Sequence, residues 1–375
     1  MNLLAYVHLR NIHGSTGAGR VARQLVEHLD RLPGIDMRVL ADAGHHERII
    51  PLVGRPWLDY RYQFFRRETS KQQAQWFLFD TPTAEHYWPE ADVVFCTGES
   101  YVPVKRARLA VTLHDAAFFE RGAHRANSAF WKQKLKWKLL YGKLARRADL
   151  FHTVSQFSAE RLAHFFPSLR SRLRVVHNAV PPRFFESVSP AGQEYLRKEE
   201  LCTTPFILLP RGLAHRKNAE LVLRTWPILK ERHRDLQLVV TSHCDEPFVS
   251  RARALGSSVK LTGFVSDEAL CSLYHAARVV WFPSLYEGFG LPVLEAMACG
   301  TPVVASNSSS LPEISGNAAT LVSPDRGDQH IEAISALLDD HVHRREQCER
   351  GIEHARRFTW AASAERLHGY LSELV

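Results

Sequence analysis

The chain has 375 residues, of which 45% are hydrophobic and 23% are charged. A chain of this length usually exceeds what one hydrophobic core serves, so we expect two domains. These proportions are those of ordinary globular proteins and exclude a disordered, collagen-like or coiled-coil chain. No apolar run approaches the roughly 18 residues that cross a bilayer, and residues 1–10 lack the basic start of a signal peptide. The sequence therefore predicts a protein that is kept in the cytoplasm.

The positive charge is concentrated in the first half of the chain. Residues 1–180 contain 27 Lys and Arg against 16 Asp and Glu, a net charge of +11, which leaves 21 against 24, or −3, for residues 181–375. The six cysteines are scattered, without a Cys-x-x-Cys pair: Cys96, Cys202, Cys244, Cys271, Cys299 and Cys348. This spacing favours neither a disulfide framework nor a zinc site, so we expect reduced, mostly buried thiols.

Short apolar runs alternate with segments of helical period along the chain, a pattern typical of parallel sheets with crossover helices. In the first half the predicted strands are residues 3–9, 37–41, 92–97, 109–114, 150–154 and 174–177. The clearest helices there are predicted at residues 20–32, 128–148 and 155–166, the last capped by Ser155. The periodicity lapses between Val180 and Pro190, where we place the domain boundary. In the second half the predicted strands are residues 206–209, 236–241, 259–261, 279–282, 303–305 and 320–322.

A glycine-bearing segment, residues 13–20, lies between the first predicted strand and the first predicted helix. A dinucleotide-binding fingerprint needs G-x-G-x-x-G, but Gly17 and Gly19 are followed by Val21 and Ala22, so the fingerprint fails. The two glycines either bring the backbone close to a ligand or form a plain tight turn.

The predicted helix over residues 131–147 is basic and rich in aromatic and aliphatic residues. One interpretation is contact with an anionic membrane surface, where each Lys or Arg contributes about 1 kcal/mol. The other is an ordinary packed helix with a solvated basic face. No nucleic-acid recognition motif accompanies the charge, so we do not expect a nucleic-acid partner.

The most informative segment runs from Glu287 to Val304 and follows directly on a predicted strand. Pro292 suits the first helical position, where its missing N–H costs nothing, and Gly300 suits the helix end. The amides around Gly290 to Val293 then form an exposed helix N-terminus, which attracts phosphate through unpaired donors and a positive partial charge. Glu295, about one turn into this helix, is placed to reach ribose hydroxyls.

Spacing alone does not identify the pair Glu287 and Glu295, because Glu365 and Glu373 are separated by the same interval. The context does. Residues 278–323 as a block closely resemble the donor-binding segment of retaining glycosyltransferases of family 4, which have the GT-B fold. The resemblance covers essentially the whole chain, and it is strongest over residues 259–324 and weakest over residues 41–90.

The resemblance implies an α/β chain with two Rossmann-like, doubly wound parallel-sheet domains that face a central cleft. Residues 1–182 would form the acceptor-side domain and residues 183–357 the nucleotide-sugar-binding domain. Residues 358–375 would be a C-terminal helix that crosses back to the first domain.

The same resemblance implies roles for single residues. Glu287 would contact the donor sugar and Glu295 the ribose, while Arg211 and Lys217 would grip the donor diphosphate. Many members of the family have Gly before this arginine, where this chain has Pro210, so Arg216 is an alternative bearer of the role. The further donor-binding residues implied are Gly17, Gly19, Gly263, Phe264, Gly288, Phe289, Gly290 and Leu291.

His114 and Asp115 end a predicted strand and resemble the histidine at the family's reaction centre, seen as His-Asp in a subgroup with many mannosyltransferases. We expect His114 to contact the donor sugar near its anomeric carbon, and Asp115 to orient His114 or the acceptor. Ser155 matches a family position but also suits a plain helix cap, and residues 177–180 resemble the hinge-side segment.

The function that the resemblance implies is transfer of a sugar, with retention, from a nucleoside diphosphate sugar to a hydroxyl of a glycan or lipid-linked oligosaccharide. The donor expected from His114-Asp115 is GDP-mannose, and no cofactor or metal is expected because no Asp-x-Asp motif is present. The alternatives are a sugar-nucleotide epimerase, a phosphorylase of the same architecture, or a catalytically inactive sugar-nucleotide-binding module at the membrane.

Overall fold

The computed structural model describes residues 1–13, 17–120 and 128–375. The chain divides by its internal contacts into two compact units. The first contains most of residues 1–178 together with Trp360–Val375, and the second is chiefly Ala179–Thr359.

The first unit is built on a seven-stranded parallel sheet in the order β3-β2-β1-β4-β5-β6-β7. Its strands are β1 Asn2–Tyr6, β2 Asp36–Asp42, β3 Tyr62–Phe65, β4 Val93–Cys96, β5 Arg108–Thr112, β6 Leu150–Thr153 and β7 Leu173–Val175. Its helices are α1 Leu9–His13, α2 Gly17–Leu29, α3 Ala43–Val53, α4 Thr69–Phe79, α5 Ala84–Tyr87, α6 Ser128–Arg147 and α7 Gln156–Phe165, with a 3₁₀ turn at Pro167–Arg172.

The second unit is built on a six-stranded parallel sheet in the order β10-β9-β8-β11-β12-β13. Its strands are β8 Phe206–Leu209, β9 Gln237–Thr241, β10 Val259–Gly263, β11 Val279–Phe282, β12 Val303–Ser306 and β13 Thr320–Val322. Its helices are α8 Pro190–Lys198, α9 Ala219–Arg232, α10 Glu246–Ala254, α11 Asp267–Ala276, α12 Leu291–Ala298, α13 Leu311–Ser315, α14 Gly327–Asp339 and α15 His341–Ala355. Short 3₁₀ turns lie at Pro182–Phe185, His215–Lys217 and Gly256–Ser258.

Both sheets have the Rossmann strand order, in which the direction of winding reverses beside the first strand of each unit. Their central strands are buried on both faces, as parallel strands covered by helices must be, and β8 and β11 are fully apolar and buried. The reversal lies between β1 and β4 in the first unit and between β8 and β11 in the second. Ligands of such sheets bind beyond the carboxyl ends of the strands at this point.

The last helix, α16 Trp360–Ser372, belongs to the first unit and packs against α2. The Ser363 hydroxyl of α16 donates a hydrogen bond to the His177 carbonyl at 2.7 Å. The chain therefore leaves the first unit after residue 178 and re-enters it at residue 360.

Several predicted boundaries are wrong. The strand predicted at residues 3–9 ends at Tyr6, and the helix α1 begins at Leu9. Val7 and Leu9 extend the apolar pattern of the strand past its real end. Gly17 and Gly19 lie in the first turn of α2 rather than in a loop, while residues 14–16 are outside the described residues. The strand β3 and the helices α3–α5 were not predicted, because residues 43–87 carry weak periodicity.

Candidate active site

The loops after β8 and β11 meet at the reversal point of the second sheet. The Leu285 N–H donates to the Arg216 carbonyl at 2.9 Å, which joins the two loops directly. Arg211, Arg216 and Lys217 belong to the first loop and Glu287 to the second. The parallel sheet therefore brings together three of the cationic residues and one of the two glutamates that the sequence singled out.

Lys217 and Glu287 form an ion pair at the centre of this site. The Lys217 ammonium donates to Glu287 Oε1, and the two side chains are 14% and 11% exposed. Burial lowers the pKa of Lys217 to about 8, against the opposing attraction of Glu287, and Arg216 and Arg211 lower it further. Burial acts to raise the pKa of Glu287, but Lys217 and Arg216 outweigh it, so this pKa lies below its ordinary value. Glu287 is therefore a carboxylate at neutral pH.

Arg211 has an unusual backbone conformation. Its φ is +76° and that of Gly212 is +78°, so two consecutive residues are left-handed. A Cβ at Gly212 would lie 1.6 Å from the His243 carbonyl oxygen, so this position accepts only glycine. A residue other than glycine held in the left-handed region of backbone conformation costs about 1–2 kcal/mol. Such strain clusters at functional sites.

Two serines that follow β12 hold the loop that carries Glu287. The Glu287 N–H donates to Ser309 Oγ at 2.9 Å. The Ser310 hydroxyl contacts the carbonyls of Glu287 and Phe289, each at 2.9 Å. No role was predicted for either serine, although both lie in the block of residues 278–323. The sequence did carry one signal for them: they directly follow β12, which lies beside β11 in the parallel sheet, so both strands end at the same edge.

The predicted helix α12 begins after this loop, at Leu291, one residue before the start predicted from Pro292. Gly290 has φ +103°, and a Cβ there would lie 2.7 Å from Leu311 Cδ2. Pro292 has no N–H, and the Val293 N–H donates to the Gly290 carbonyl at 2.9 Å. Among the described residues, the Leu291 N–H is therefore the donor in the first turn of α12 that is left for a ligand. The positive end of the helix dipole lies at the same place.

The end of α12 also follows the prediction. Gly300 has φ +70°, and its N–H donates to the Met297 carbonyl at 3.0 Å. The Thr301 N–H donates to the Ala296 carbonyl at 2.9 Å, which completes a Schellman motif. The helix is thus fixed at both ends by glycines that adopt positive φ.

Glu295 is more deeply buried than its predicted contact with a ribose would suggest. It is 1% exposed, and Tyr274 of α11 donates a hydrogen bond to its Oε2 at 2.9 Å. Tyr274 was missed because nothing in its sequence context distinguishes it from other core tyrosines. The ribose contact of Glu295 stays a prediction.

The remaining predicted donor residues of the second unit differ in accessibility. Phe289 is 4% exposed, and its ring packs on that of Phe358 with centroids 6.3 Å apart. Phe264, by contrast, is 68% exposed and follows Gly263, whose φ is +68°. Gly288 lies in the loop between Glu287 and Phe289.

His114 and Asp115 follow β5 at the carboxyl edge of the first sheet. The His114 N–H donates to Glu99 Oε1 at 2.8 Å, and Glu99 follows β4 at the reversal point. His114 Nε2 is buried and has no hydrogen-bond partner among the described residues. Asp115 Oδ1 accepts from the Ala117 N–H at 2.8 Å, which gives Asp115 a turn-forming role. Ser155 caps α7 by accepting from the Ser158 N–H at 3.0 Å.

A cavity of about 740 Å³ opens beside this edge, within the first unit. Its walls come from the carboxyl ends of the strands and from α4 and α6, and they include both apolar and charged side chains. The polar ones include His8, His45, Glu99, Lys132 and Lys136. Burial, with His45 and Lys136, lowers the pKa of His8 to about 4, so its imidazole is neutral at physiological pH.

Comparison with known proteins matches most of the chain to two family models. Residues 15–184 match "Glycosyltransferase Family 4", and residues 193–358 match "Glycosyl transferases group 1". The chain belongs to glycosyltransferase family 4. It is an enzyme of the glycosyltransferase class, as the resemblance over residues 278–323 implied.

Among curated proteins, this glycosyltransferase is similar to O-antigen chain mannosyltransferase B of Escherichia coli, with 28% identity over 92% of this chain and 93% of that protein. It is also similar to the MMP alpha-(1->4)-mannosyltransferase of Mycolicibacterium hassiacum, with 32% identity over 62% of this chain and 56% of that protein. Mannosyltransferases are thus among its relatives, one of them over nearly the full length of both chains.

Solved structures confirm the predicted GT-B fold. Anabaena HepE in complex with UDP-glucose has a TM-score of 0.74 at 18% identity and covers all of both chains. WaaG, a glycosyltransferase involved in lipopolysaccharide biosynthesis, has a TM-score of 0.70 at 15% identity over 98% of each chain. In the described part of this glycosyltransferase, no helix is long and apolar enough to cross a membrane.

Proposed function

We propose that this glycosyltransferase moves mannose from GDP-mannose to a hydroxyl of a glycan or lipid-linked oligosaccharide, with retention at the anomeric carbon. The observation that carries the proposal is the site at the reversal point of the second sheet, where Lys217 pairs with Glu287, Arg216 acts on both charges and Arg211 acts on Lys217. The choice of mannose is supported by the mannosyltransferase of Escherichia coli, which aligns with nearly the whole chain.

The donor diphosphate would bind between the basic loop after β8 and the start of α12. Arg211 offers a fork of donors and Lys217 a point charge, and the Leu291 N–H adds a backbone donor. These groups supply the positive potential that stabilises the departing diphosphate, so we propose that no divalent cation is needed. Glu295 would hold the ribose, and Phe264, exposed beside Gly263, would flank the base.

Chemistry would follow a front-face route. The acceptor oxygen bonds to the anomeric carbon as the carbon–oxygen bond to the diphosphate breaks, and the acceptor proton passes to the departing phosphate oxygen. Glu287, whose pKa lies below its ordinary value, cannot supply a proton, but its carboxylate stabilises positive charge that develops on the sugar. His114 Nε2, buried and without a protein partner in the described chain, would accept from or donate to a sugar hydroxyl.

The acceptor would bind in the first unit, in the cavity bounded by α4 and α6. Its apolar walls include Phe77, Leu78 and Leu139, and its polar groups include Glu99 and the neutral His8. A site of this mixed character suits an amphipathic acceptor, in which sugar hydroxyls and a hydrocarbon portion are both present.

The proposed function is tested by incubating the enzyme with labelled GDP-mannose and a lipid-linked acceptor in the presence of a chelator. We expect a mannosylated product whose new linkage has the anomeric configuration of the donor. Conversion of the free donor to another sugar nucleotide would indicate the epimerase alternative. Donor binding without any turnover across a panel of acceptors would indicate an inactive binding module. A parallel reaction with UDP-glucose tests the choice of base and sugar.

Donor binding should depend on pH through Lys217. Because its pKa is lowered to about 8, the side chain is charged below pH 8 and becomes neutral as the pH rises above it. Affinity for GDP-mannose is therefore expected to be constant below pH 8 and to fall by up to about tenfold per pH unit above it. Isothermal titration calorimetry measures this. Lys217→Arg keeps its charge and should abolish the dependence, and a dependence that persists in this variant would contradict the assignment.

Gly290→Ala should weaken donor binding, because the new Cβ would meet Leu311 Cδ2 at 2.7 Å and displace the start of α12. Gly256→Ala is the matched control: its φ is +68°, but a Cβ there meets nothing within 4 Å. Both variants should lose about 1 kcal/mol of unfolding free energy from backbone strain. Only Gly290→Ala should also lower donor affinity, by about tenfold, in the same calorimetric titration. Equal donor affinity in the two variants would contradict a binding role for this helix start.

We further propose that α6 contacts an anionic membrane surface. Trp131, Leu135 and Leu139 recur every four residues on this helix and are 58%, 58% and 54% exposed. Leu78 and Phe79, at the end of α4, are 66% and 69% exposed, and Lys143 of α6 donates to the Phe77 carbonyl, which ties the two helices together. Lysines flank this apolar stripe, as in helices that lie on anionic lipid surfaces.

Sedimentation with lipid vesicles tests this contact. We expect binding to vesicles that contain phosphatidylglycerol and much weaker binding to phosphatidylcholine alone. The double variant Lys134→Glu/Lys138→Glu should weaken binding about tenfold or more, at about 1 kcal/mol for each lost lysine. Lys198→Glu, an exposed lysine of the second unit, is the control. Equal binding of all three proteins would indicate that the basic face of α6 is merely solvated.

A further inference from the structure

The fold brings together three metal-binding side chains that lie apart from the ion pair of Lys217 and Glu287. Cys271 and His275 are four residues apart, on one face of α11, and Cys299 caps the end of α12. Both sulfurs and a ring nitrogen of His275 lie within 4.8 Å of one another. This is the one group of three or more such ligands in the described residues.

The surroundings of this cluster suit a soft cation. Cys271 and Cys299 are 8% and 7% exposed, so neither thiol is an ordinary surface cysteine. His275 Nε2 is buried and makes no hydrogen bond to the described part of the chain. The Cys271 thiol donates to the Arg183 carbonyl oxygen at 3.5 Å, so a further oxygen that could bind a metal lies beside the sulfurs.

The distances between the three candidate ligand atoms also fit a tetrahedral zinc site. In tetrahedral zinc sites the metal lies about 2.3 Å from sulfur and about 2.0–2.1 Å from nitrogen, so ligand atoms are less than about 4 Å apart. Separations within 4.8 Å require shifts of less than about an ångström to reach this geometry. Two sulfurs and one imidazole favour zinc and its chemical relatives over magnesium or calcium.

We propose that Cys271, His275 and Cys299 form a binding site for a thiophilic divalent cation, with zinc as the expected ion. A water molecule or the Arg183 carbonyl would complete the coordination. The sequence did not predict this site, because Cys299 is 28 residues from Cys271 and no Cys-x-x-Cys pair marks it.

Such an ion would link the two helices that hold Glu295. Tyr274 of α11 donates to Glu295 Oε2 at 2.9 Å, and the Cys299 N–H donates to the Glu295 carbonyl at 3.1 Å. A cation bridging Cys271, His275 and Cys299 would fix α11 against the end of α12 on either side of that contact. Its role would be structural, so the proposal does not depend on the choice of donor or acceptor.

The test is a titration of the reduced, metal-free full-length protein with Co²⁺. We expect one cobalt ion per chain, with the thiolate charge-transfer band and the intense visible bands of a tetrahedral site, and displacement of cobalt by zinc. Cys299→Ser and His275→Ala should each weaken cobalt binding by about 100-fold or more, whereas Cys202→Ser and Cys348→Ser, thiols outside the cluster, should not change it.

A second measurement uses the wild type alone, so that a variant that fails to fold does not decide the question. Zinc at 100 times its dissociation constant should raise the midpoint of thermal unfolding by about 5 °C, and a chelator should reverse the rise. Absence of the charge-transfer band in the reduced wild type would overturn the proposal. So would a Cys271–Cys299 disulfide in the isolated protein combined with no cobalt binding after reduction.

Discussion

Glu287→Gln is expected to lower the rate of sugar transfer by about 10²–10³-fold while donor binding changes little. The carboxylate of Glu287 is kept ionised by Lys217 and Arg216, and the neutral amide would no longer offset positive charge that develops on the sugar. Single-turnover measurements with GDP-mannose and acceptor give the rate of the chemical step, and calorimetry gives donor affinity. An effect confined to the chemical step is the mark of a group that acts mainly in the transition state.

The matched control for this prediction is Glu194→Gln. Glu194 also lies in the second unit and is paired with an arginine, Arg197, at 2.6 Å, but on the exposed surface, where such pairs contribute little. The Glu194→Gln variant should retain wild-type kinetics. Near wild-type turnover in Glu287→Gln, or an equal loss in both variants, would remove Glu287 from the reaction.

Lys217→Met is expected to have two large effects that a second substitution separates. Removing the ammonium leaves the carboxylate of Glu287 buried without its partner, and breaking a buried pair in this way costs about 3 kcal/mol of unfolding free energy. The variant should also bind GDP-mannose about 10²–10³-fold more weakly, because a contact to the diphosphate is lost. Chemical denaturation and calorimetry measure the two effects.

The double variant Lys217→Met/Glu287→Gln should recover most of the lost stability but none of the donor affinity. Recovery of stability follows because neither charge is then left unpaired. Recovery of donor affinity as well would mean that Lys217 serves only to neutralise Glu287. In that case the grip on the diphosphate would have to be reassigned to Arg211 and Arg216.

The sequence predicted the two doubly wound sheets because each central strand is a short apolar run followed by a helical segment. The lengths of the strands and the positions of the strands at the sheet edges were less predictable. Tyr62–Phe65 alternates weakly and lies at the sheet edge, where burial is partial, so β3 left no clear pattern. The run from Leu3 to Leu9 was interpreted as one strand, because Val7 and Leu9 extend the apolar pattern beyond the real strand and into the start of α1.

In the site, the sequence predicted the residues that bear charge but not those that hold them. Glu287, Arg211 and Lys217 were predicted through the resemblance to family 4, since spacing and charge alone do not distinguish them from ordinary surface residues. Tyr274, Ser309 and Ser310 contact these loops or Glu295 from elements that are distant in sequence or lack a distinctive pattern. The spacing of residues in the sequence also does not show how accessible a side chain is. Glu295 and Phe289 are both buried, which limits how each can contact a ligand.

The most direct test of the account is a crystal structure of the enzyme grown with GDP and a chelator. The account predicts a diphosphate beside the start of α12, within hydrogen-bonding distance of Arg211, Lys217 and the Leu291 N–H, with no cation between them. A diphosphate bound elsewhere in the chain, or one that binds these residues only through a divalent metal ion, would contradict it.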